Sequence, residues 1–182
     1  MTSPVNVHVQ VESTYSLFVD VATLERVAVT AIGRELKTGP HHMTVTVMGD
    51  DELRELNREF RHIDRTTDVL SFGTQGALDG VVTGAGDDFV LPPNQEPTLG
   101  DIVISYPQAK RQAEAAGRPV LHEIALLTAH GALHLMGFDH AEPEEEKVMF
   151  AKTDAILAEV LGPSVVPMVP VLHDIPSTSG WS

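Results

Sequence analysis

Residues 130–140 read His-Gly-Ala-Leu-His-Leu-Met-Gly-Phe-Asp-His, and they close a helical pattern that begins at Pro119. Proline suits a first helical turn, because its missing N–H group needs no partner there. Gly137 suits the end of the helix, since glycine readily adopts the left-handed conformation that turns the chain back. The stretch therefore predicts a helix from Pro119 to Met136, followed by a tight reversal of the chain.

Three histidines in this stretch have the spacing of metal ligands. His130 and His134 are four residues apart on the predicted helix, so both imidazoles project from one face. His140 returns on the far side of the turn. Three neutral imidazoles fill three positions of a tetrahedral zinc ion, and a fourth position open to water is typical of catalytic zinc. The segment predicts one bound Zn²⁺; the alternative is three ordinary residues of a helix face.

Two acidic residues near the histidines have two interpretations each. Asp139 is either a turn residue or an acceptor that orients a ligand imidazole from behind. Glu123 lies seven residues before His130 on the same predicted helix. It is either a solvated or capping glutamate or a second residue that faces the metal site.

The spacing H-x-x-x-H-x-x-G-x-x-H is shared with one group of zinc peptidases. In those enzymes, a glutamate directly after the first histidine acts as the general base. Here that position is Gly131, so a peptidase mechanism would lack its base and ranks second. Zinc lowers the pKa of bound water to about 7, which allows hydrolysis without a carboxylate base.

Strand and helix patterns alternate outward from this segment. Strands are predicted where apolar residues alternate or form short runs, at Val5–Val11, Met43–Met48, Asp68–Phe72 and Asp101–Ser105. Helices are predicted where apolar residues recur every three or four positions, at Leu17–Leu36, from Asp50 or Asp51 to Phe60 or Arg61, and at Gln108–Ala116, Pro119–Met136 and Pro143–Leu161. The pattern predicts an α/β (α+β) fold, with a small mixed four-stranded sheet packed with about five or six helices.

The length of 182 residues allows one domain of ordinary size. We expect this domain to span residues 1–161, with a long loop at residues 73–98 that holds five glycines and three prolines. A loop of this length is usually functional or mobile. Residues 162–182 contain four prolines and four serines, which predicts a poorly ordered tail.

Composition excludes several classes of protein. The net charge of -14 argues against binding nucleic acid through bulk positive charge. The absence of cysteine excludes disulfides, zinc fingers, thiol nucleophiles and iron–sulfur sites, so any metal is held by His, Asp or Glu. The first residues lack the pattern of a signal peptide, and no apolar run approaches the ~20 residues that span a bilayer. We expect a cytoplasmic protein without a membrane partner.

Four arginines form a periodic set in this acidic chain. On a helix that continues past Arg61 they make one stripe, and they are Arg54, Arg58, Arg61 and Arg65. Guanidinium groups match phosphate oxygens, so the stripe predicts binding of a nucleic-acid backbone, and Lys110, Arg111 and Arg118 would extend it. The alternative is a solvated helix face paired with Asp51, Glu55 and Glu59. Aromatic residues make up only 5% of the chain, which disfavours an extensive base-stacking platform.

Three motifs in the same order resemble the YbeY endoribonucleases, a family of bacterial ribosomal-RNA maturation factors. They are LNREFRHIDRTTDVLSF (Leu56 to Phe72), LGDIVIS (Leu99 to Ser105) and HGALHLMGFDH, and the resemblance covers about Val5 to Leu161. The resemblance implies a small α/β fold around one zinc ion held by the three histidines. It also implies that Arg61 is catalytic, because the family's essential arginine follows a tyrosine and the pair here is Phe60-Arg61.

The resemblance further implies single-strand-specific RNA cleavage, 16S rRNA 3′-end maturation and ribosome quality control. The implied partners are rRNA, the small ribosomal subunit with one of its proteins, and the GTPase Era. The long 73–98 loop, the extra tail and the net charge of -14 depart from the family pattern. Two alternatives stay open: a zinc peptidase-like hydrolase, and a non-catalytic ribosome-assembly factor with a structural metal.

Overall fold

The computed structural model describes residues 5–36, 41–73, 82–83, 98–138 and 141–162. The predicted tail beyond Gly162 lies outside these residues. So does the predicted 73–98 loop, apart from its two ends and residues 82–83. The described part forms one sheet with helices on both faces.

The sheet is mixed, as the sequence predicts. Its strands are β1 (Val5–Val11), β2 (His41–Met48), β3 (Val69–Gly73), β4 (Val82–Thr83) and β5 (Thr98–Ser105), in the spatial order β1-β2-β5-β3-β4. Strands β1, β2 and β5 are parallel, whereas β3 is antiparallel to β5. The four longer strands are the predicted ones, and the two-residue β4 extends the edge from within the segment that was predicted as a loop.

The helices are α1 (Val21–Glu35), α2 (Asp50–Arg61), α3 (Tyr106–Ala116), α4 (Val120–Leu135) and α5 (Pro143–Leu161), with a 3-10 turn at Ser13–Tyr15. Helix α1 begins at Val21 and not at the predicted Leu17, because the Asp20 carboxylate accepts a hydrogen bond from the Thr23 N–H and caps the helix there. None of the described helices is both long and apolar enough to cross a membrane.

The sheet separates two cores. Side chains alternate along its strands, so Val69 and Ile102 point into the larger core with α1, α4 and α5. Leu70 and Val103 point to the opposite face, where they pack on Leu53 of α2. Helix α2 therefore lies on one face of the sheet, and α1 and α4 lie on the other.

Helix α4 is the buried centre of the larger core. Every residue from His122 to Leu135 is buried. The helix ends in a Schellman motif at Gly137, whose φ is 100°. The Phe138 N–H donates to the Leu133 carbonyl at 3.0 Å, and the Gly137 N–H donates to the His134 carbonyl at 3.0 Å. The predicted end of this helix at glycine is confirmed.

Candidate active site

The structure brings His130 and His134 together at the carboxyl end of α4, as their spacing predicts. Their side chains are buried, and the two rings meet edge to face with centroids 4.8 Å apart. Two nitrogens that bind one tetrahedral Zn²⁺ ion lie about 3.4 Å apart, so neighbouring imidazoles at this separation fit the donor set. These two residues are suited to hold one metal ion.

A metal site here needs donors beyond the described residues. Within the described residues no three His, Cys, Asp or Glu side chains converge as a metal site would require. The predicted third ligand, His140, and the predicted orienting residue, Asp139, both lie outside them. The Schellman turn at Gly137 reverses the chain directly before these two positions.

Gly131 faces the sheet. A β-carbon at this position would lie 2.9 Å from Cγ2 of Ile102 in β5, and Ile102 is itself fully buried. The Ser71 hydroxyl of β3 donates to the Gly131 carbonyl at 3.5 Å on the same side of the helix. The position after the first histidine therefore has no room for a glutamate, and a peptidase base is excluded from it.

Helices α2 and α4 run in the direction of β3 on opposite faces of the sheet. Near the start of β3, the Ser105 hydroxyl donates to Asp50 of α2 and the Ser105 N–H donates to the Asp68 carbonyl. Near its end, the Phe60 ring lies 5.5 Å from the Phe72 ring. The backbone of Arg61, the last residue of α2, therefore lies at the same end of the sheet as the histidine pair, across β3.

The predicted end of α2 at Phe60 or Arg61 is confirmed, so Arg65 does not belong to a helical stripe. Helix α2 ends at Arg61, because His62 adopts the left-handed conformation with φ 59°. Arg65 follows this turn, and its carbonyl accepts a hydrogen bond from Nδ2 of the buried Asn57 at 2.8 Å. Its exposed side chain is thus presented by a loop that α2 holds in place.

Two arginines of α2 are exposed and form surface ion pairs. Arg54 Nε lies 2.8 Å from Asp64 Oδ1, and an Arg58 nitrogen lies 3.2 Å from Glu55 Oε1. Exposed pairs of this kind are weak, so either guanidinium can exchange its carboxylate for a phosphate oxygen. Of the partners expected for a solvated face, Glu55 is the one that pairs in the described contacts.

The suggested extension of the stripe by Arg118 is wrong, because that side chain is buried. Its exposed fraction is 6%, and its Nε lies 3.2 Å from Glu123 Oε2. Arg111 instead pairs with Asp50 at 2.8 Å, and Lys110 is exposed on α3. Lys110, Arg111 and Arg118 therefore do not form one basic surface.

Glu123 is buried at the start of α4, so the interpretation of a solvated glutamate is also wrong. Burial raises the pKa of Glu123, the Arg118 charge opposes this rise, and the nearby Asp68 carboxylate adds to it. Seven residues of helix, about 10 Å of axis, separate Glu123 from His130. The sequence analysis did not identify Glu123 and Asp68 as a buried pair of carboxylates. The only signal was an acidic residue directly before an apolar strand, in the segment Thr67-Asp68-Val69-Leu70.

Burial also raises the pKa of Asp68, although its hydrogen bonds favour the charged form of the carboxyl. Its carboxylate accepts from the Val69 N–H at 2.9 Å, from the Thr67 hydroxyl at 3.2 Å and from Gln112 Nε2 at 3.3 Å. This polar cluster joins α3, α4 and β3 at the end of the sheet away from the histidine pair.

The chain is similar to known proteins over most of its length. The sequence model of the family described as Endoribonuclease YbeY matches residues 9–161. An endoribonuclease YbeY of Dehalococcoides mccartyi is 36% identical over 154 residues, which cover 85% of this chain and 96% of that protein. The endoribonuclease YbeY of Geobacillus kaustophilus is 42% identical over 138 residues, which cover 76% of this chain and 85% of that protein.

A solved structure has a similar fold. The solution structure of TM1509 from Thermotoga maritima matches with a TM-score of 0.57 and 25% sequence identity, covering 94% of each chain. The sequence match spans nearly all of the described elements, including the helix that carries the histidine pair. The chain belongs to the endoribonuclease YbeY family of nucleases.

Proposed function

We propose that this chain is a metal-dependent endoribonuclease that cuts single-stranded RNA. The observation that carries the proposal is the buried, adjacent pair His130 and His134 at the end of α4, in a chain of the endoribonuclease YbeY family. In this proposal His140 completes a three-histidine site for one zinc ion, and Asp139 orients a ligand imidazole. We further propose that residues 1–161 form the hydrolase domain and residues 162–182 a tail; the family match ends at residue 161.

Zinc bound to three imidazoles supplies Lewis acidity and an acidified water for hydrolysis at neutral pH. The residues of the chain then have distinct tasks. Arg61 stabilises the negative charge that grows on the scissile phosphate, where a positioned cation contributes most. Gly131 leaves the position after the first histidine without a base, which is consistent with a hydrolase that uses no carboxylate there. Glu123 supports the start of α4 through Arg118.

RNA binding is assigned to the exposed arginines at the other side of β3. Arg54, Arg58 and Arg65 are exposed, and the first two form only surface ion pairs. Their position beside Arg61 supports a path for the phosphate backbone toward the histidine pair. By resemblance, we assign the activity to 16S rRNA 3′-end maturation and ribosome quality control in the cytoplasm, with the small ribosomal subunit and the GTPase Era as partners.

The decisive experiment measures cleavage of an end-labelled single-stranded RNA by wild-type protein, Arg61→Ala and Arg34→Ala, purified in parallel and with zinc content measured in each. Arg34 is an exposed arginine of α1 that pairs with Glu159 of α5, so its removal controls for the loss of one positive charge. We expect wild type and Arg34→Ala to cut equally. Arg61→Ala should be slower by about 10²- to 10³-fold with unchanged zinc.

Equal cleavage by all three proteins would contradict the role of Arg61 and point to a contaminating nuclease. Absence of cleavage by wild type would favour the assembly factor, whose binding to small ribosomal subunits would survive replacement of the metal ligands. A peptidase would cleave casein and not RNA. The missing side chain at Gly131 already argues against that outcome.

A further inference from the structure

A surface patch of apolar side chains lies at the carboxyl ends of the parallel strands β1, β2 and β5. We call it the aromatic patch and define it by Tyr15, Leu17, Phe18, Val21 and Tyr106. Leu17 is 93% exposed, Phe18 65% and Val21 40%. The Tyr15 and Tyr106 rings are stacked with centroids 4.8 Å apart, and the Phe18 ring lies 6.2 Å from Tyr106. Large exposed apolar side chains that cluster in this way mark interaction sites.

The aromatic patch is remote from the histidine pair. It follows the carboxyl end of β5, whereas the histidine pair lies at the end of the sheet where β5 begins. The eight residues of β5, Thr98–Ser105, span about 23 Å between these ends. A partner on the patch therefore leaves the candidate active site open, and the inference does not rest on RNA cleavage.

Carboxylates lie on the Tyr15 side of the aromatic patch. Glu12, Asp50, Asp51 and Glu52 are close enough to Tyr15 that, after burial, their charges raise the pKa of its hydroxyl. A β-carbon on Gly49 would touch both Glu52 Oε2 and the Tyr15 hydroxyl, which places these two groups side by side. Asp50 is paired with Arg111, while Asp51 and Glu52 are exposed. Lys110, one turn after Tyr106 on α3, is an exposed cation.

This combination selects one kind of occupant. We infer that the aromatic patch docks a basic segment of another protein, which places an apolar side chain against Phe18 and Tyr106 and lysines or arginines against the carboxylates. Aromatic anchors in a charged border are the usual composition of such sites. Opposite charges across the border also accelerate encounter and disfavour partners of the wrong sign.

Other occupants fit the charges less well. RNA is repelled by carboxylates, and proteins that stack bases place their aromatic residues in basic grooves. A second copy of the chain carries the same net charge of -14. Residues 163–182 of this chain are apolar enough to cover the patch, but they contain no lysine or arginine to meet the carboxylates.

The test uses the full-length protein and a fluorescein-labelled amphipathic peptide of lysines and leucines, with binding followed by fluorescence anisotropy in about 0.15 M salt. Matched peptides replace every leucine by serine or every lysine by glutamate. The protein variants are Leu17→Ser/Phe18→Ser, Asp51→Lys/Glu52→Lys and the control Val29→Ser, which changes an apolar residue of α1 that is 36% exposed and outside the patch. All of these side chains are exposed, and thermal unfolding checks that each variant is folded.

We expect the lysine–leucine peptide to bind wild type and Val29→Ser equally and to bind either double variant about tenfold more weakly or worse. Both control peptides should bind weakly to every protein. Equal binding to all four proteins would overturn the inference, as would the absence of binding to wild type.

Displacement of the peptide by a synthetic peptide of residues 163–182 would make the chain's own tail the occupant. RNA binding that is lost in Leu17→Ser/Phe18→Ser would make the patch a nucleic-acid surface, and a dimer of wild type that dissociates in this variant would make it a self-interface.

Discussion

Gly131 of α4 and Ile102 of β5 are in such close contact that a β-carbon on Gly131 would stand 2.9 Å from Cγ2 of Ile102. The helix that carries the histidine pair is thus seated directly on the sheet at the residue between the two histidines. His130 and His134 lie on this helix at the end of the sheet where α2 also ends.

Gly131→Ala is expected to destabilise the protein. Overpacking in a full core costs about 1–3 kcal/mol, and the better helix propensity of alanine returns up to about 1 kcal/mol. Gly33→Ala is the matched control, because a β-carbon on Gly33 of α1 would meet nothing within 4 Å. Urea unfolding should show a lower unfolding free energy for Gly131→Ala and one raised by about 0.5–1 kcal/mol for Gly33→Ala. A gain of the same size in both variants would show that α4 is not seated on β5 at this residue.

His134→Asn is expected to lose bound metal. The same change at His122 is the control, because His122 is a buried histidine on the same helix that lies about two turns before His130. Zinc content measured by mass spectrometry after dialysis should be about one ion per chain for wild type and His122→Asn, and close to none for His134→Asn. Retention of zinc by His134→Asn would remove this residue from the ligand set.

Asp68→Asn is expected to flatten the dependence of stability on pH. Because the pKa of Asp68 is raised above its usual 3.8, the folded protein holds this proton more tightly than the unfolded chain does. The stability that the protonated carboxyl contributes is therefore present at low pH and is lost as pH rises through the raised pKa. Asparagine stays neutral, and its amide can donate to Oε1 of Gln112, an atom without a hydrogen-bond partner among the described residues.

The measurement for Asp68→Asn is the melting temperature between about pH 4 and pH 8. The difference between the variant and wild type should move in favour of the variant as pH rises. Asp51→Asn, which changes an exposed carboxylate, serves as the control and should follow wild type. If the melting temperature of Asp68→Asn instead falls relative to that of wild type as pH rises, the Asp68 carboxylate is stabilised in its charged form.

Gly100→Ala is expected to prevent normal folding of the sheet. Gly100 has a φ of 136°, and its β-carbon would clash with the Phe72 carbonyl oxygen of β3. The obstacle is backbone, which cannot rotate away as a side chain can, and the conformation itself is strained for alanine. Circular dichroism and the yield of soluble protein should fall sharply relative to wild type. Normal yield with an unchanged melting temperature would mean that β3 and β5 are not this close.

The arginines of α2 are expected to contribute to RNA affinity through charge alone. Replacing Arg58 by alanine should weaken binding of single-stranded RNA for every sequence and reduce the slope of log affinity against log salt by about 0.7. Arg34→Ala, which removes an exposed arginine on the other side of the molecule, should leave both unchanged. Fluorescence anisotropy over a salt series measures the slope. Equal slopes for both variants would remove Arg58 from the RNA-binding surface.

The sequence by itself determined the local elements of the site. His130 and His134 share a helix face because the period of the helix is set within four residues, and Gly137 ends that helix because it supplies the left-handed conformation. The mixed sheet with helices was predicted for the same reason, since alternation and helical period are properties of short segments. Helix α1 starts at Val21 and not at the predicted Leu17 because Asp20 caps it, which shows that helix boundaries depend on single side-chain hydrogen bonds.

Only the tertiary structure decided which charged groups are buried and which face the site. Helix α2 ends at Arg61 as its pattern predicts, but the left-handed conformation of His62, which places Arg65 on a loop, has no glycine to signal it in the sequence. Arg118 and Glu123 look like surface residues in the sequence and are buried together against Asp68. Burial and ion pairing depend on distances of a few Å between elements that are far apart in the chain, and no local pattern carries those distances.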